Sequence, residues 1–187
     1  IEIFERTGLI YRLDRFIWEL AVQQLAKWQK EGRDELYISV NISTKDFQYM
    51  DVYQTITSLV ERYGIIPSTL KLEITETAIM MGNAGELETI GRFRNYGFEV
   101  EIDDFGSGYS SLNTLKDIDV DVLKIDMGFL RTTRSERVER SMSILNMIIS
   151  LSKILGLSVV TEGVETKDQV SRLSQMGCGV YQGYYFS

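Results

Sequence analysis

A set of oxygen-bearing side chains recurs at wide intervals along this chain: Asn41, Glu73, the tandem Asp103-Asp104 and Glu162, with Lys124 and Gln182 among them. The chain has no histidine and one cysteine, Cys178. Imidazole-based triads, imidazole-bound zinc or iron, internal disulfides and cysteine-built zinc sites are therefore excluded. Chemistry must come from carboxylates, lysine, hydroxyls or hard metal ions, and oxygen donors without nitrogen or sulfur favour Mg²⁺ or Mn²⁺ over zinc or copper. Two consecutive aspartates could serve two ions about 3.5–4 Å apart that clamp an attacking and a leaving oxygen. Neighbouring side chains on a strand point opposite ways, so this requires a turn in the backbone, which Gly106 and Gly108 permit. Lys124 could simply neutralise the carboxylates, or orient a water or stabilise a phosphoryl oxygen. Glu162 could hold a water or act as a base, or be a charge at the start of the next helix.

These residues need elements to position them. Apolar residues from Leu9 to Trp28 recur at helical spacing, so a helix is expected over Thr7–Lys30, with Thr7 as N-cap and Gly32 as its stop. A second helix is expected from about Lys45 to Tyr63, ending at Gly64. Others are expected at Gly85–Tyr96, near Ser110–Leu115, and at Val138–Leu155 and Lys167–Met176. Strand patterns fall at Leu36–Asn41, Thr69–Thr75, Phe98–Asp103, Val120–Asp126, Leu157–Thr161 and Val180–Gln182. Alternating strands and helices imply right-handed βα units and a parallel sheet. Nearly every strand pattern ends on one of the polar residues named above. An open doubly wound sheet needs functional groups at only a few strand ends, whereas a (β/α)8 barrel gathers all of them at one mouth. The expected fold is thus a TIM-type α/β barrel. Such a barrel takes eight strands and roughly 250 residues, so these six βα units imply that two N-terminal strands and the last helix lie outside the 187 residues. Residues 1–187 read as one partial domain.

With 20 basic and 27 acidic residues, the net charge of −7 disfavours a broad grip on polymeric nucleic acid or anionic lipid. The apolar stretch Ser141–Val160 is interrupted by Asn146, Ser150, Ser152 and Lys153, which leaves no membrane-inserting span. No leader sequence stands at Ile1, so the segment is expected to begin in mid-domain. Cys178 reads as a small buried side chain in a reducing compartment. The domain is expected to be cytoplasmic, whatever anchors the rest of the protein.

The motifs Glu5-Arg6-Thr7-Gly8-Leu9-Ile10, Asn41-Ile42-Ser43, Glu73-Ile74-Thr75-Glu76, Asp103 through Leu112, Lys124-Ile125-Asp126, Glu162-Gly163-Val164-Glu165 and Gln182-Gly183-Tyr184 span essentially the whole chain. Together they resemble the EAL-domain phosphodiesterases, which hydrolyse the bacterial second messenger cyclic di-GMP to the linear dinucleotide. The resemblance implies that Asn41, Glu73 and Asp103 bind one metal ion and that Asp103 and Asp104 bind a second, the ions being Mg²⁺ or Mn²⁺. It implies that Lys124 contacts the hydrolytic water, that Glu162 supports the metal site, and that Glu76 holds the loop Phe105–Ser111. Gln182 and Asp126 fall among the substrate contacts. A homodimer and a fused sensor or GGDEF domain are partners the family commonly has. The Glu-x-Leu motif, which supplies a further metal ligand and a nearby arginine, would lie upstream of Ile1. The segment alone is therefore expected to be inactive.

Two other readings compete. A domain that binds cyclic di-GMP or a protein partner without hydrolysis would have lost ligands or the loop motif, and neither loss is visible. An enolase-like barrel also carries acidic ligands and a lysine base, but fits tandem aspartates and a leading Asn poorly. Lys71 precedes Glu73 by two and Glu101 precedes Asp103 by two, so both should point inward below the metal layer as a buried ion pair.

Overall fold

The computed structural model describes residue 4 and residues 8–107, 118–130 and 135–186. Thr7 and the Ser110–Leu115 helix lie outside them. Two compact units are present, Ile1–Glu101 with Ile118–Val120, and Ile102–Asp117 with Asp121–Ser187.

The first unit contains helix α1 (Ile10–Lys30), strand β1 (Ile38–Ile42), helices α2 (Thr44–Tyr49) and α3 (Val52–Tyr63), strand β2 (Leu70–Thr75), helices α4 (Glu76–Met81) and α5 (Ala84–Tyr96), and the start of strand β3 (Glu99–Phe105). β1 and β2 are parallel, with Val40 opposite Leu72, Asn41 opposite Glu73 and Ile42 opposite Ile74. Side chains alternate across a strand, so the apolar pairs share one face and Asn41 and Glu73 share the other. The apolar face belongs to a core that includes Trp18, Val22, Leu25, Ile56 and Phe93.

The expected single helix from Lys45 to Tyr63 is two helices. Met50 is extended, at φ −149°, and the Asp51 carboxylate accepts from Gln54 N at 2.9 Å, starting α3 afresh. Ser43 and Asp46 form a reciprocal capping box at the start of α2. α4 was not expected from the sequence; it is a short helix that the Thr75 hydroxyl caps at Ala78 N. α1 begins at Ile10 with no side-chain cap.

The second unit contains the end of β3, then β4 (Val122–Ile125), helix α6 (Ser135–Leu155), β5 (Ser158–Thr161), helix α7 (Lys167–Met176) and β6 (Val180–Tyr181). Strand order follows the chain, β1-β2-β3 in the first unit and β3-β4-β5-β6 in the second. The β4–β5 and β5–β6 pairs are parallel. This is the expected parallel α/β architecture, with six strands among the described residues. Each polar candidate stands in the last three residues of its strand or directly after it. No helix among the described residues is long and apolar enough to cross a membrane.

Candidate metal and phosphodiester site

The second unit assembles the main cluster. One carboxylate oxygen each from Asp103, Asp104 and Glu162 lie within 4.8 Å of one another. Asp103 and Asp104 come from the end of β3, whereas Glu162 follows β5, continuing the sheet through its N–H to Ile125 O at 3.0 Å. Lys124, on the intervening β4 and 6% exposed, places its ammonium 3.0 Å from Asp103 Oδ1 and 2.9 Å from Glu162 Oε1. This position is compatible both with neutralising the carboxylates and with orienting a water or phosphoryl oxygen beside them.

The tandem aspartates converge because the backbone turns earlier than the glycines alone suggested. Asp104 adopts φ +54°, the one positive value at a non-glycine residue among those described. Aspartate tolerates the left-handed region better than most residues. Gly106 continues the turn at φ +92°, and Gly108 lies outside the described residues.

Burial pushes the Glu162 carboxyl above the usual glutamate range; the hydrogen bond and charge of Lys124 pull it down, and Asp103 and Asp104 push it further up. Asp103 Oδ1 is buried, and the nearby ammonium lies outside hydrogen-bond geometry, so this oxygen accepts no hydrogen bond. Buried oxygens normally do accept one. Three carboxylates gathered this closely, one with a buried oxygen that accepts no hydrogen bond, form a set of hard donors suited to a divalent cation.

The first unit presents Asn41 and Glu73 side by side on one face of paired strands. Glu76 is buried at the first position of α4. Its expected hold on the loop Phe105–Ser111 involves residues 108–111, which lie outside those described. Gln182 is exposed just after β6, its N–H donated to Thr161 O at 2.9 Å. Asp126, expected at the substrate, has Oδ1 accepting from Gly128 N at 2.7 Å, where it caps the 3-10 turn Met127–Phe129.

The expected ion pair is present and larger than expected. Lys71 Nζ lies 3.3 Å from Glu101 Oε1, 2.8 Å from Glu99 Oε1 and 3.9 Å from the centre of the Tyr37 ring. Glu101 is 4% exposed. Burial pulls the Lys71 pKa down, but the hydrogen bond and charge of Glu99 together with Glu101 outweigh it, and the net direction is upward. Glu99 went unnoticed in the sequence, although its alternation with Glu101 on one strand was the available signal.

The fold is a parallel α/β sheet with acidic groups at its strand ends, a set that could hold a divalent cation, and comparison with known proteins says which family it belongs to. The EAL domain model matches residues 1–187, and the chain belongs to that family. It is 34% identical over 187 residues to the signaling protein YkoW of Bacillus subtilis, covering all of this chain and 23% of that protein. It is 32% identical to the cyclic di-GMP phosphodiesterase RocR of Pseudomonas aeruginosa, covering 94% of this chain and 45% of RocR. The chain thus spans less than half the length of either relative. The structure of the PaMucR phosphodiesterase in complex with c-di-GMP superposes with a TM-score of 0.90 at 32% identity, over 100% of this chain and 74% of that one.

Proposed function

We propose that this chain is part of an EAL domain that hydrolyses cyclic di-GMP to the linear dinucleotide with the help of Mg²⁺ or Mn²⁺, two ions being used. The observation that carries the reading is the cluster of Asp103, Asp104 and Glu162 around a buried oxygen that accepts no hydrogen bond. The PaMucR phosphodiesterase, whose structure contains c-di-GMP, supports the substrate. That one family model covers both units supports reading residues 1–187 as part of one domain. The low share of the relatives' length covered by the chain fits a domain joined to sensor or GGDEF modules, and a cytoplasmic homodimer belongs to the same reading.

The reading assigns Asn41, Glu73, Asp103 and Asp104 as metal ligands. A divalent cation held by such residues supplies positive charge to a phosphoryl oxygen and lowers the pKa of water. It also reverses the sign of an acidic rim that would otherwise repel a dianionic substrate. Lys124 stands between Asp103 and Glu162, where its ammonium can donate to an attacking water or to a phosphoryl oxygen. Glu162, its carboxyl shifted upward, is suited to accept and return a proton there. Glu76 is assigned to order the loop after β3, and Gln182 to contact the nucleotide. Asp126 is assigned to the substrate side as well, through whichever oxygen the turn leaves open.

The test is turnover of cyclic di-GMP with Mn²⁺ or Mg²⁺ by the intact protein that contains the whole domain, compared with Asp103→Asn. The wild type should release the linear dinucleotide, and the variant should lose at least about 100-fold in kcat, the scale of one electrostatic group at a reacting centre. Tight nucleotide binding in EDTA with no hydrolysis after metal addition would instead identify a binding domain.

A further inference from the structure

Two glycines just past the acidic residues touch one short turn. A Cβ on Gly106 would fall 2.3 Å from Phe129 Cε2 and 2.6 Å from its Cζ. A Cβ on Gly163 would fall 2.3 Å from Met127 Cβ and 3.2 Å from its Cα. Both distances are far below van der Waals contact, so only glycine lets the strand ends come this close. The turn Met127–Phe129 is itself well tied. Asp126 Oδ1 accepts from Gly128 N at 2.7 Å, and Leu130 N donates to Met127 O at 2.9 Å.

This turn stands at the end of β4, the strand between the two that carry the carboxylates. Adjacent strands are spaced about 4.8 Å apart, which puts β3 and β5 about two spacings from each other. Nevertheless, oxygens of Asp103, Asp104 and Glu162 meet within 4.8 Å. Side chains bridge that gap, so how closely the oxygens meet depends on the separation at which the two strand ends are held. Mutual repulsion works against this approach; Lys124 offsets it at the side chains, 3.0 Å from Asp103 and 2.9 Å from Glu162, whereas the turn touches the backbone of both segments.

We propose that Met127 and Phe129 are positioning residues: the turn braces the Gly106 and Gly163 segments and thereby sets the spacing of the acidic cluster. The metal-binding consequence rests on the proposed function, but the spacing itself does not.

The experiment uses the full chain as wild type, Phe129→Ala, Gly163→Ala, Gly163→Asn and the control Gly156→Ala. Gly156 has φ +74°, close to the +67° of Gly163, but nothing lies within 4 Å of its Cβ position. Mn²⁺ affinity is measured by calorimetry, the fold is checked by circular dichroism, and the carboxylate spacing is read from crystal structures. Phe129→Ala and both Gly163 variants should weaken Mn²⁺ binding roughly 10- to 100-fold, the range found for groups that orient metal ligands. Their carboxylates should spread apart, while Gly156→Ala binds as wild type. The brace is overturned if folded Phe129→Ala keeps wild-type spacing and affinity. It is equally overturned if Gly163→Asn, which tolerates a left-handed backbone, is normal while Gly163→Ala is weak. Should Phe129→Ala not fold, the Gly163 pair decides on the same readouts. If the wild type binds no Mn²⁺, the functional reading falls, and the crystallographic spacing still judges the brace.

Discussion

Asp104 holds a backbone conformation that costs an ordinary L-residue roughly 1–2 kcal/mol, and it does so beside two other carboxylates. Strain of this kind persists where the surroundings demand it. Here the result is that two consecutive side chains serve one cluster. Lys124 offsets the repulsion by occupying the space between Asp103 and Glu162. Replacing it should therefore separate binding from turnover. Lys124→Met should lower kcat about 100- to 1000-fold, while Mn²⁺ binding stays level or tightens because a competing cation has gone. Calorimetry alongside turnover measures both, and a tenfold loss of Mn²⁺ affinity would contradict this account.

At the level of elements, β2 and β3 carry an ion network within the first unit, where Lys71 meets Glu99 and Glu101. Removing one partner of a buried pair typically costs about 3–5 kcal/mol, because the other charge stays in a poorly solvated place. Lys71→Met should destabilise by about that amount in urea unfolding, and Lys71→Met with Glu101→Met should recover most of it. The folded-state pKa of Lys71 lies above its ordinary value of 10.5. Its stabilisation is therefore complete below pH 10.5 and disappears as pH rises through the higher, folded value. Melting temperatures across that alkaline range should fall more steeply for the wild type than for the double variant. A parallel decline in both would remove Lys71 as the cause. Helix boundaries show how local chemistry decides an element. The apolar periodicity from Lys45 to Tyr63 continues through Met50, yet the Asp51 cap makes two helices of it.

For the whole molecule, a cation bound only by the folded state stabilises it by mass action, by about 2.7 kcal/mol at a hundredfold excess over Kd. Mn²⁺ should raise the melting temperature of the full chain, EDTA should lower it to the metal-free value, and Asp103→Asn should abolish the difference. Identical melting in Mn²⁺ and EDTA would remove the metal from the account. Much of this architecture was legible in the residues: the strand runs, the switch from two-residue to helical periodicity, and the polar groups at strand ends all follow from local patterning. That Asn41 stands beside Glu73 followed from both lying at the ends of successive strands, and that Lys71 meets Glu101 followed from alternation along strands that proved to be neighbours. The short α4, the left-handed Asp104 and the part played by Glu99 were not legible, since each depends on what surrounds the segment. The same holds for the cluster itself. Residue types and their order along the chain determined which oxygens and which ammonium were available, because composition and periodicity are properties of the chain alone. Only the packed strand ends decided that Asp103, Asp104 and Glu162 meet around Lys124 with Phe129 and Met127 against neighbouring glycines, because distances across an intervening strand are fixed by contacts between segments far apart in sequence.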